Sequence, residues 1–332
     1  MTESGVKKAH LDEIDVALGI TMCFVVFGHM YFISEAGVLW YETVRLFIYQ
    51  FHMAVFYFIM GFLFTYTKDV FSRQFNHLEF CYRKGIKFAK PFLFFAIVYF
   101  MIDLILASDK SLYLASFRNA IYNQFIFPTR APATFLWFIY VLFAYYLTIP
   151  LLGKLFRAKT MLVMTVIGIV LIFITLPPAF ALELYGRYFI FFVFGMVYST
   201  IRAEANLYIN QFGWIFILMW TTFMIVYILT GWENSYLVSI TAIVSILFLS
   251  GKIAKTSGIF NVIGRNVFPI YLQNTTIIGL LFILLTKVFK VQEVAIQYFI
   301  PLFILFAIII PLALNRMIPN KLTFLRSLLG YI

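Results

Sequence analysis

Two histidines lie where ionisable groups are expensive. His29 sits in FVVFGHMYF (24–32) and His52 in YQFHMAVF (49–56), each among apolar and aromatic residues. Imidazole takes and gives a proton near neutral pH, so each is a candidate general base or acid. An ionisable group inside a membrane costs on the order of a few kcal/mol and is a functional candidate by default. The chemistry suits activation of a hydroxyl nucleophile. Metal binding suits it less, because neither HxxxH nor HExxH occurs and no third ligand stands at a telling spacing; no metal is expected. For His52 a hydrogen bond tying two helices together is an equal reading.

The elements that position these residues follow from composition. Of 332 residues, 63% are hydrophobic and 12% charged, against about 25% charged in soluble chains. One water-soluble core cannot hide that excess, so the chain reads as an all-α polytopic membrane protein, taken as a single domain over 1–332. About ten spans are expected, near 14–33, 45–66, 88–107, 134–156, 159–176, 185–201, 211–230, 235–250, 267–288 and 295–315. Transmembrane strands are excluded, since they need about ten residues of alternating polarity and these runs are twice as long and apolar on every face. The first span, with no small-residue cleavage site after it, reads as a retained helix. Cys23 lies inside that span and Cys81 in a basic loop, so no disulfide is expected.

Charge sets the orientation. With the N-terminus inside, 18 of the 25 lysines and arginines fall on one side and 7 on the other. Basic residues collect on the cytoplasmic side, which places both termini there. The net charge of +11 is thereby assigned to membrane lipid headgroups rather than nucleic acid, because no single basic patch forms. In this frame His29 and His52 lie in the outer third, roughly 6 and 10 Å deep, on consecutive helices that bring them together. Gln273 and Asn274 fall in the inner third of the ninth span.

Several stretches, in order, resemble the membrane-bound acyltransferase 3 family. IDVALGITMCFVVFGHM (14–30) is similar to its first helix, which reads Ile-Asp, two residues, a basic residue and Gly, with a histidine eleven residues after the basic one. FHMAVFYFIMGFLF (51–64) resembles its second helix, and RKGIKFAKPFLFF (83–95) the basic stretch and proline that open its third. LWFIYVLFAYYL (136–147), RYFIFFVFGMVYS (187–199) and IGRNVFPIYLQN (263–274) resemble later blocks. The resemblance implies transfer of an acyl group, often acetyl from acetyl-CoA, to hydroxyls of a surface glycan or lipid-linked sugar. His29 would be the catalytic histidine, with His52 assisting or binding the acceptor. Asp15 matches the family pattern, although an acidic residue in a first helical turn also complements the helix dipole. Trp137 would shape a substrate passage or, like many interfacial tryptophans, anchor its helix.

The chain departs from the pattern at Leu18, where the family has a basic residue, at Asn274, where many members have histidine, and at Met60, in place of a frequent serine. Eleven residues turn a helix about 20° past three full circles, so positions 18 and 29 share a face about 16 Å apart, with Asp15 about 40° away. Lys84 and Lys87, with Arg83 beside them, are the expected substitutes for the missing charge and the expected contacts for acyl-CoA phosphates. The donor would then enter from the cytoplasm of a cell with this protein in its inner membrane, and the acceptor from outside. Two rivals remain on the residues: a glycan exporter on the same scaffold, for which Leu18 and Asn274 speak, and a small-solute transporter, for which inverted repeats and mid-span breaks would speak.

Overall fold

The computed structural model describes residues 10–67, 71, 75–106 and 117–331; the basic residues Lys7, Lys8, Lys68, Arg73 and Lys110 lie outside them. The described residues contain helices and no strand. In chain order the α-helices are α1 (Asp12–Gly28), α2 (Tyr31–Glu35), α3 (Leu39–Tyr49), α4 (His52–Thr67), α5 (His77–Leu106), α6 (Phe117–Ile126), α7 (Trp137–Phe156) and α8 (Thr160–Ile172). They continue with α9 (Leu182–Thr200), α10 (Arg202–Thr230), α11 (Ser235–Ile253), α12 (Gly258–Arg265), α13 (Val267–Ile283), α14 (Ile300–Met317) and α15 (Thr323–Leu328).

Among the described residues nine helical segments are long and apolar enough to cross a bilayer. The longest, Thr134–Ile172, has 39 residues, about 58 Å of helix against a hydrocarbon core of roughly 30 Å. It breaks at Arg157, whose φ of 50° and ψ of −122° are non-helical, and α7 packs against α8 across the break. The break falls between the spans expected at 134–156 and 159–176, but α8 has only 13 residues, about 20 Å of helix, so the described residues carry nine candidate crossings against the ten expected.

Two boundaries differ instructively. The third span starts at His77 rather than near 88. Apolarity alone misses the extra turns, because they carry the basic residues. Their helicity is supported by Asn76, whose side-chain oxygen accepts from the Glu79 N–H at 3.1 Å, and by the Glu79–Arg83 pair one turn apart at 2.5 Å. The first span, expected to be continuous over 14–33, ends as a helix at Gly28, resumes as the short α2, and turns into α3.

The chain divides into two compact units: residues 1–68 with 195–319, and 69–194 with 320–332. In the first, α1 is the central element, packed against α3, α4, α11, α12, α13 and α14. Its contact with α12 is backbone on backbone. A Cβ at Gly264 would overlap the Asp15 carbonyl oxygen, and one at Gly19 the Phe260 carbonyl oxygen. α4 is buried from His52 through Ile59 without interruption, which is why it is apolar on all sides. α10 instead exposes Trp214, Leu218 and Ile225, as a helix facing hydrocarbon does. In the second unit α5 packs on α7 and α15, with a core of Phe88, Phe92, Phe95, Tyr145, Tyr146, Phe189 and Phe192.

Candidate functional site

His29 occupies the break after α1. Its backbone N–H closes the helix on the Val25 and Val26 carbonyls at 3.1 and 3.3 Å. The next two carbonyls, which a helix end leaves unpaired, are capped from α3: Tyr41 Oη donates to Phe27 O at 2.5 Å and Tyr49 Oη to Gly28 O at 2.8 Å. Within a membrane an unpaired carbonyl costs several kcal/mol, so a helix interrupted there needs such partners. The absence of a side chain at Gly28 lets the Tyr49 ring approach, its Cε1 lying 2.6 Å from where a Cβ would stand.

The imidazole of His29 is held from α13. Its Nδ1 lies 2.6 Å from Asn274 Oδ1 and 3.0 Å from Thr275 Oγ1. The orientation of the Asn274 amide is settled by its other end, where Nδ2 donates to the Ile270 and Tyr271 carbonyls at 2.9 and 2.7 Å. An amide oxygen accepts only, so Nδ1 of His29 carries the hydrogen and the neutral ring keeps its lone pair on Nε2. Among the described residues that Nε2 has no hydrogen-bond partner, and the residue keeps part of its surface accessible. Such a ring can take a proton from a hydroxyl placed against Nε2.

His52 opens α4 and is buried. Its Nδ1 donates to Ile48 O at 2.8 Å, which again leaves Nε2 as the acceptor. The two histidines do not bond to each other; Tyr49 stands between them, its hydroxyl on Gly28 and its ring 5.0 Å from the His52 ring. The depths expected from the sequence need one correction. Asn274, placed in the inner third, bonds His29, placed in the outer third, so the two share one level. Asn274 is the eighth residue of α13 and His29 follows the 17 residues of α1, so the outer-third and inner-third placements cannot both hold.

Asp15 is buried at the other end of α1. Its Oδ2 accepts from Arg265 Nε at 2.8 Å and faces His10 Nε2 at 2.6 Å. Arg265 Nη2 also reaches Asp12 Oδ1 at 2.9 Å, and the Asp15 hydrogen bond holds the guanidinium above its ordinary range. Glu13 pairs with Arg202. The cation at Asp15 is thus Arg265 of α12, while Leu18 is buried in the α1 packing. Sequence reasoning missed Arg265, which lies in the quoted IGRNVFP stretch but 250 positions from its partner. His10, Asp12 and Asp15 bring three potential metal-ligand atoms within 4.8 Å of one another; the Arg265 guanidinium already supplies the positive charge between the carboxylates.

The basic residues of the second unit differ in their commitments. Arg83 is exposed and paired with Glu79. Lys84 Nζ lies 4.9 Å from the Tyr146 ring centre and 5.8 and 5.9 Å from those of Phe80 and Phe88, a set of aromatic faces around one ammonium. Lys87, one turn further along α5, is part-buried and has neither hydrogen bond nor ion pair among the described residues. Trp137 stacks on Tyr188, with ring centres 5.8 Å apart and planes at 17°. Glu183 and Arg187 pair with each other at 3.5 Å.

The fold and the buried polar groups define a multi-pass helical membrane protein with an oriented imidazole inside it. The chain belongs to the acyltransferase 3 family: that family's model, an acyltransferase domain, matches residues 11–317, nearly the whole chain and the entire histidine site. It is a family of membrane acyltransferases. No curated protein and no solved structure matches the chain.

Proposed function

We propose that the protein is an O-acyltransferase of the inner membrane, moving an acyl group, acetyl in the first instance, from acyl-CoA to a hydroxyl of a surface glycan or lipid-linked sugar. His29 is the base. As the sugar oxygen attacks the thioester carbon, its proton passes to His29 Nε2; the carbon–sulfur bond breaks, and the imidazolium returns the proton to the departing thiolate. A placed base of this kind is worth about 10²–10⁴-fold. His52 assists at the same site or binds the acceptor. Lys84, Lys87 and Arg83 attract the donor phosphates, with Lys87 foremost because its charge is uncommitted. Asp15 holds the start of α1 through Arg265, and Trp137 lines the second unit. Both termini face the cytoplasm, where the donor is made.

The observation that carries this reading is the bond from His29 to Asn274, which leaves Nε2 to accept. It also bears on the export rival. Asn274 orients the base as a histidine there would, and Arg265 brings a cation to Asp15, so neither departure from the family pattern argues for lost chemistry. The test compares acylation of surface glycans in cells with the wild-type chain, with His29→Ala, and with none. Loss of the ester in both defective strains is expected; full acylation with His29→Ala would overturn the reading.

A further inference from the structure

The second unit carries a nucleophile that the proposed transfer does not use. Cys81 stands one turn after His77, the residue that opens α5. Its Sγ lies 3.5 Å from His77 Nε2 and 3.7 Å from His77 Nδ1, and 3.9 Å from the carbonyl oxygen of Tyr146 on α7. His77 is buried, and among the described residues no other hydrogen bond or ion pair engages its ring. Cys81 keeps part of its surface accessible and is a free thiol. Lys84 reaches the same tyrosine from the next turn, its Nζ 4.9 Å from the Tyr146 ring centre. A thiol, an imidazole and an ammonium thus gather around Tyr146.

Burying an imidazole costs free energy unless its nitrogens are engaged, and a phenylalanine would fill the start of α5 without that cost. A spacing of four residues on one helix brings the two side chains together, and a nucleophile with a base in reach is the arrangement of covalent catalysis. At neutral pH an ordinary thiol, with a pKa of about 8.5, is mostly protonated, so a neighbouring base raises its reactivity. The reactant that suits this site is a thioester. Exchange of one sulfur for another changes the free energy of the acyl bond little, and Lys84 brings the point charge that attracts the phosphates of coenzyme A.

We infer that Cys81 takes the acyl group from acyl-CoA and holds it as a protein thioester, with His77 as its base. As the Cys81 sulfur attacks the thioester carbon, the thiol proton passes to a ring nitrogen of His77. The carbon–sulfur bond to coenzyme A then breaks, and the imidazolium returns the proton to the departing thiolate. One thioester replaces another, so the acyl group keeps its transfer potential while free coenzyme A leaves. The inference rests on the acyl-CoA reading above and gives the donor side a reacting residue of its own.

The test incubates the purified full-length chain with radiolabelled acetyl-CoA and no acceptor. Protein-bound label is measured before and after neutral hydroxylamine, which cleaves thioesters and spares oxygen esters. Cys23 and Cys81 are the only cysteines of the chain, so mass spectrometry of wild type should find the acetyl group on Cys81 and not on Cys23, without recourse to a variant. Wild type and Cys23→Ser should carry label that hydroxylamine removes, and Cys81→Ala none. His77→Phe, which keeps a ring of similar size, should take up label at least about 10-fold more slowly; melting curves check that the variants are folded. An unlabelled wild type, label that resists hydroxylamine, equal label on Cys81→Ala, or an equal rate in folded His77→Phe would overturn the inference. Acylation of surface glycans in cells reads the overall transfer separately. Dependence of that ester on His29 with no label on Cys81 would sink this inference alone, and label on Cys81 with full acylation in His29→Ala would sink the glycan reading alone.

Discussion

Replacing Asn274 by leucine tests the geometry of the proposed base most directly. The substitution keeps side-chain volume but removes the Oδ1 that receives His29 Nδ1–H at 2.6 Å. The two bonds from Asn274 Nδ2 run to Ile270 and Tyr271 carbonyls of its own helix, which the helical ladder also engages, so the fold itself should change little. What is lost is the lock on the tautomer and on ring orientation. One hydrogen bond to a buried group is worth about 1–3 kcal/mol, and 1.36 kcal/mol is a factor of ten in rate, so kcat should fall by about 10- to 100-fold. The KM for acyl-CoA should stay near its original value, because Asn274 touches no proposed donor contact. Thr275 Oγ1 at 3.0 Å offers Nδ1 a second acceptor and keeps the loss below that of His29→Ala. Asn274→His, which restores a ring acceptor, should recover most of the rate. The assay is CoA release from acetyl-CoA by purified protein with an acceptor-rich surface extract, alongside a melting curve. A kcat within about threefold of wild type in Asn274→Leu, at unchanged stability, would refute the argument that Asn274 orients the base.

Three further outcomes follow from the packing and the charges. Gly264→Ala would drive a methyl into the Asp15 carbonyl and should lower stability by at least about 2 kcal/mol, whereas Gly251→Ala and Gly279→Ala, with open space at the Cβ, should be neutral or gain about 0.5–1 kcal/mol; equal melting temperatures would dismiss the close α1–α12 contact. Lys87→Met should raise the KM for acyl-CoA about tenfold, as expected for one charge-assisted phosphate contact, with a smaller effect for Arg83→Met because Glu79 already engages that guanidinium; the reverse order would remove Lys87 from the donor site. Arg265→Met strips Asp15 of its partner at 2.8 Å and should lower the melting temperature more than Asp12→Asn, since Asp12 is exposed and Asp15 buried; thermal unfolding in detergent decides the order.

Much of the fold was legible in the residues themselves. Grease at 63% fixes the solvent, long apolar runs fix the helices, and His29 announces itself because an imidazole among Phe, Val and Met has few inert reasons to be there. The misplaced boundaries lie where helix continues through polar residues, as in the Arg83–Lys87 stretch, or stops inside apolar ones, as at Gly28.

The partners of those residues belong to the tertiary structure alone. Asn274 stands 245 positions from His29, and Arg265 stands 250 from Asp15. A soluble helix betrays its inward face by a stripe of apolar residues, but α1 and α4 are apolar all round, so their sequences carry no record of which face turns toward which neighbour. That rotation decides whether an asparagine orients a base and whether an arginine replaces a missing cation.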